Sequence, residues 1–74
     1  MVNVQYDNDG EVIIQVDKSG ALSLIKYLNS FLDSKESHYH LMTPSWGGEE
    51  LSEDEVLSLP NTLLINQVRL QFVD

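Results

Sequence analysis

Apolar and polar residues alternate near the start of the chain: Val2, Val4 and Tyr6 interleave with Asn3 and Gln5. After Asp7-Asn8-Asp9-Gly10 the alternation resumes at Val12, Ile14 and Val16. A period of two is the repeat of a strand whose side chains face opposite ways, and Asn, Asp and Gly tolerate the left-handed angles of a tight connection. The pattern predicts a β-hairpin with Val12, Ile14 and Val16 on the core side and Ile13 and Gln15 on the other.

The period then lengthens. Ala21, Leu24, Ile25, Leu28 and Leu32 recur at helical spacing, widened by Leu22 and Phe31, which predicts an amphipathic helix that buries this stripe. Ser19 is placed to cap its start, with Asp17 as the competing candidate. Asp33-Ser34-Lys35 ends it with no glycine to supply a left-handed cap.

Ser37 to Thr43 reads as a third strand with Tyr39, Leu41 and Thr43 on one face and His38, His40 and Met42 on the other. Pro44 stops it, because proline gives no amide to a ladder. A polar stretch follows from Pro44 to Asn61. Within it Ser52 and Glu55 have capping-box spacing, so Glu53 to Leu59 is expected to form about two helical turns. From Leu63 to Val73 the chain alternates Val68, Leu70 and Phe72 against Gln67, Arg69 and Gln71, a last strand paired along much of its length.

The order strand, strand, helix, strand, strand defines an α+β class: a four-stranded, mostly antiparallel sheet with one helix on one face. Seventy-four residues allow one domain, 1–74, and one modest core. The helix-free face, with Asn3, Gln5, Ile13, Gln15, His38 and His40 among its members, is mostly polar and is expected to stand in water. It is also the face that would serve a homodimer.

Charge narrows the partners. Twelve acidic residues against four basic ones give a net charge of −8, which repels nucleic acid and anionic lipid and attracts a cationic protein surface. The absence of cysteine excludes thiol chemistry and gives no sign of an oxidising compartment. No apolar run is long enough to span a bilayer, and the first residues lack the layout of a signal peptide, so a cytoplasmic location is the expectation.

Candidate chemistry is sparse. His38 and His40, two apart on a strand, project to one side, but no third ligand is marked out, and no metal or other cofactor is expected. There is no nucleophile elbow. The carboxylates Glu49, Glu50, Glu53, Asp54 and Glu55 form a run of the kind that is usually a solvated face, so no catalytic residue and no enzyme activity are expected. Gly47-Gly48 allows a sharp turn. Trp46 beside it either plugs an edge of the core, the commoner fate of a large aromatic, or stands exposed as an anchor.

The stretch His38-Tyr39-His40-Leu41-Met42-Thr43-Pro44-Ser45-Trp46-Gly47-Gly48-Glu49-Glu50-Leu51, with Asn66-Gln67-Val68-Arg69-Leu70 beyond it, resembles a family of small bacterial immunity proteins from polymorphic toxin systems. In that family a histidine-bearing strand runs into a Trp-Gly-Gly element, then an acidic residue and leucine, and the chain closes with a strand opened by asparagine. The N-terminal hairpin and helix match only in layout. The resemblance implies an antidote that binds a cognate protein toxin and blocks it. On that reading Trp46 and His40 would anchor the partner while Glu49, Glu50, Glu53, Asp54 and Glu55 steer it. The alternative is a homodimeric accessory domain that uses the helix-free sheet face; a metal-binding module built on the two histidines is a weaker third.

Overall fold

A computed structural model describes residues 1–54 and 59–73. The elements are β1 (Val2–Asp7), β2 (Val12–Val16), α1 (Lys18–Leu32), β3 (His38–Met42), a 3-10 turn at Pro44–Trp46, β4 (Thr62–Leu64) and β5 (Gln67–Gln71). The hairpin forms as the alternation requires, with Val2 opposite Val16 and Val4 opposite Ile14. Its turn is closed by the Asp7 carboxylate, whose Oδ1 accepts from the amides of Asp9 and Glu11, both at 2.9 Å.

The class is α+β, but the strands form two antiparallel sheets, ordered β2-β1-β4 and β3-β5, in place of the single four-stranded sheet expected from the sequence. The cause lies in the last predicted strand, which breaks at Ile65-Asn66. Before the break the Ile65 amide donates to the Val4 carbonyl at 2.8 Å; after it the Asn66 carbonyl accepts from the Thr43 amide at 3.0 Å. The strand thus hands itself from β1 to β3, and the Asn66 side chain secures the bend by accepting from the Thr43 hydroxyl at 2.8 Å. Residues 51 and 52 then close the gap: the Leu51 amide donates to Met42 and the Ser52 amide to Val2.

Asp17, not Ser19, caps α1: its Oδ1 accepts from the Gly20 amide at 2.8 Å and from the Ser19 hydroxyl at 2.9 Å. At the far end Ser34 adopts φ 57° in the position where glycine is usual. The buried stripe of the helix also differs from the expected one. Gly20, Leu24, Tyr27 and Phe31 face inward, whereas Leu22, Ile25, Leu28 and Leu32 are exposed. The reason is the helix's course. Gly20 lies against the Met1 carbonyl and Val2, and from there the helix runs toward the second sheet, where Tyr27 meets Tyr39 with ring centroids 4.8 Å apart and Phe31 meets Phe72 at 5.9 Å. It runs from β1 toward β3 and leaves the apolar row of β2, Val12, Ile14 and Val16, largely exposed.

Val2, Val4, Leu41 and Leu51 form the buried core, with Tyr39, Val68 and Leu70 packed around it. Each fully buried aliphatic side chain of this kind stabilises by roughly 1.5–3 kcal/mol. On the opposite face of β1, Asn3 and Gln5 do not stand in water as expected; they are among the most enclosed side chains in the protein. Asn3 Nδ2 donates to the Ser52 carbonyl at 3.0 Å, Gln5 Nε2 donates to Asn3 Oδ1 at 2.8 Å, and the Thr62 hydroxyl donates to Gln5 Oε1 at 2.6 Å. The segment after the 3-10 turn therefore covers the polar face of β1. The helical turns expected over Glu53 to Leu59 fall largely on residues 55–58, outside the described residues.

Candidate functional site

The site grows out of the end of β3. Thr43 is fully buried, and its carbonyl accepts from the amides of Trp46 at 2.9 Å and Gly48 at 3.0 Å. These bonds wind Pro44-Ser45-Trp46 into one 3-10 turn, a use of proline at a first turn that wastes no amide. Gly47 leaves the turn with φ 90°, a left-handed angle that a side chain would strain, and its amide donates back to the Pro44 carbonyl at 3.0 Å. Gly48 passes so close to β3 that an added Cβ would lie 2.5 Å from the Met42 carbonyl oxygen. Both glycines are thus required by geometry.

This frame holds Trp46 on the surface, 56% exposed. Of the two readings the sequence leaves open, the core plug is excluded. The indole stands on a turn fixed from beneath by backbone hydrogen bonds, so little conformational freedom remains to be lost when it is covered.

The carboxylates divide into distinct roles. Glu53 accepts a short hydrogen bond from the Ser45 amide. The Ser45 side chain and amide together hold its carboxyl below the ordinary value of 4.5, so it braces the turn that carries Trp46. Glu50 accepts from the Glu49 amide at 2.5 Å. Glu49 and Asp54 are exposed. Glu55 lies outside the described residues. Glu49 and Glu50 also line an open cleft of about 650 Å³ with Tyr27, Met42 and Gly48. There burial, with the Glu50 charge and Tyr39 behind it, pushes the Tyr27 phenol above its ordinary value of 10.0. Tyr27, Met42 and Gly48 were not among the site residues expected from the sequence. The one signal for Tyr27 was its place one turn beyond Leu24 and one before Phe31, the spacing of the stripe that the fold buries.

His40 projects from the exposed face of β3. Its Nδ1 is 3.1 Å from Gln67 Nε2, it stands opposite Arg69, and its ring meets His38 edge-on at 5.1 Å. It shares a strand face with Met42, which borders the cleft. Among the described residues there is no group of three or more histidine, cysteine or acidic side chains arranged to hold a metal ion. No helix among them is long and apolar enough to cross a membrane.

The fold and the site define a class: a small α+β domain whose most prominent exposed aromatic is fixed on a turn among carboxylates. Residues 11–68 match the family model of Immunity protein 32, and the chain belongs to that family of immunity proteins. The match spans β2, α1, β3, the Trp46 turn and β4, and ends within β5. No curated protein and no solved structure matches the chain.

Proposed function

We propose that this protein neutralises a cognate bacterial protein toxin in the cytoplasm by binding and occluding it, without catalysis of its own. The observation that carries the reading is the exposed Trp46 on its braced turn, in a chain that belongs to an immunity family. An aromatic held rigidly at the surface supplies a large contact area at low entropic cost, which is why tryptophan is enriched at interface hot spots. Glu49 and Asp54 face solvent on the segment that follows it, and Glu50 lines the cleft, a position that suits a lysine or arginine from a basic partner surface. With a net charge of −8 the protein attracts a cationic toxin at long range before the indole docks. His40, on the same strand face as Met42, would extend this surface on the strand side. Glu53 and the neighbouring Glu55 add to the negative potential, and Glu53 also positions the turn.

The test uses the toxin domain encoded beside this protein's gene. Trp46→Ala should keep the fold and weaken the complex by about 2 kcal/mol or more, the loss typical of a hot-spot tryptophan. Charge reversal at Glu49 and Asp54 together should slow association, and the slowing should fade as salt is added. A complex indifferent to both changes would remove this surface from the mechanism.

A further inference from the structure

β2 is one edge of its sheet, β4 being the other, and it lacks the usual protections. Val12-Ile13-Ile14-Gln15-Val16 contains no charge and no proline, whereas natural edge strands are ordinarily blunted by such residues or by a covering element. The helix that follows covers it only in part, and Val12, Ile14 and Val16 are 57%, 58% and 43% exposed. The hydrogen-bond phase shows which groups are open. The Asp7 amide bonds the Glu11 carbonyl and the Asp17 amide bonds the Met1 carbonyl, so odd-numbered positions of β2 face β1. The amides and carbonyls of Val12, Ile14 and Val16 accordingly point to the open side.

We propose that β2 pairs with β2 of a second copy of this chain, antiparallel and centred on Ile14. The strand is self-complementary in that register. Ile14 meets Ile14, Val12 meets Val16, and the bonded pairs are those whose amides are free, so the bonded contacts across the two-fold are apolar on apolar, with Ile13 opposite Gln15 on the other face. A second copy fits better than a cationic partner, because the five residues of the strand carry no carboxylate for a basic group to meet and the strand is complementary to itself. The pairing also accounts for part of the exposed helix stripe. Leu24 borders an apolar cleft of about 310 Å³ with Val12, Ile14, Val68 and Leu70, and Leu28 stands one turn further along that side of α1. A two-fold axis normal to the sheet brings both helices to the same face, one on either side of the paired valines and isoleucines.

The flanks carry a cost that gives the pairing a signature. Glu11 of one copy comes opposite Asp17 of the other, and each chain bears a charge of −8, so added salt should tighten the dimer. Toxin association, if charge-steered, should weaken under the same change.

The chain has no cysteine, so Ile14→Cys introduces a single thiol at the axis, where bonded partners have Cα atoms about 5.5 Å apart, within disulfide reach. Mild oxidation of the full chain should yield covalent dimer roughly tenfold or more faster than in Leu63→Cys, since pairing raises the effective thiol concentration. Leu63 is 56% exposed on β4 and serves as an equally accessible control. Sedimentation should show a salt-strengthened dimer in the unmodified protein and a monomer in Ile14→Lys, both with unchanged circular dichroism. A monomer at all concentrations, equal cross-linking of the two thiol variants, or a dimer that survives Ile14→Lys would overturn the proposal.

Discussion

The two strands of the N-terminal hairpin meet different environments: from Val2 to Gln5 both faces of β1 are covered, whereas the apolar face of β2 stands open. Asn3 and Gln5, amides on the polar face, are 0% and 1% exposed, while Val12 and Ile14 on the apolar face are more than half exposed. Alternation identifies side chains that share a face; it does not identify which face is covered. On the polar side, the carbonyl of Ser52 and the hydroxyl of Thr62 supply the bonds that make burial of two amides tolerable. On the apolar side, the helix is drawn away from β2 by its aromatic contacts with Tyr39 and Phe72.

The sharpest test of this contrast compares two aliphatic truncations. Leu51 is 2% exposed at the junction of the two sheets, and Leu51→Ala should cost about 2–5 kcal/mol, as large-to-small core changes do. Ile14→Ala should cost about 1 kcal/mol or less in the monomer, because most of that side chain is already in water. Urea unfolding of the two variants at low protein concentration reads the difference directly. Equal losses would mean that the apolar face of β2 is sealed after all.

A smaller effect tests the polar face. Asn3→Ala leaves the Gln5 amide without its acceptor and the Ser52 carbonyl without its donor, and an unpaired buried polar group costs about 1–3 kcal/mol. Gln5→Ala leaves Asn3 Oδ1 without its donor, while the Thr62 hydroxyl keeps the Leu59 carbonyl as acceptor, and should couple to Asn3→Ala, the double variant losing less than the sum. Additive losses would show that the amides act singly and that the network does not tie the covering segment to β1.

Much of this architecture was legible in the residues. The hairpin, the helix, the third strand and the alternation of Tyr39, Leu41 and Thr43 inward against His38 and His40 outward all follow local period and appear in the structure. The break at Ile65-Asn66 was not legible, because it depends on which strand accepts each half of a continuous apolar pattern. The inward stripe of α1 was misplaced for a related reason: Leu22, Ile25, Leu28 and Leu32 are as apolar as the buried set, and only the course of the helix decides between them. At the site, Gly47 and Gly48 predicted a sharp turn from their chemistry alone. The brace beneath Trp46 depends on the bond that the Ser45 amide donates to Glu53, eight residues on, which no local spacing announces.

That bond supplies the finest of the distinctions between the covered face and the open one, because Glu53 sits in the segment that shields Asn3. Its folded carboxyl titrates below 4.5 because Ser45 donates to the ionised form. A group with a depressed folded pKa contributes stability above its unfolded value and loses that contribution as the pH falls through the folded value. Unfolding measured from neutral to acidic pH should therefore show Glu53→Gln less stable than the parent at neutral pH, with the gap closing below about 4.5. Thermal melts of both proteins across that range suffice to check it, and the indole fluorescence of Trp46 should shift in the parent over the same acidic window as the brace beneath its turn is released. A gap that persists unchanged into acid would mean that the glutamine amide fails sterically and that the charge on Glu53 does not hold the turn.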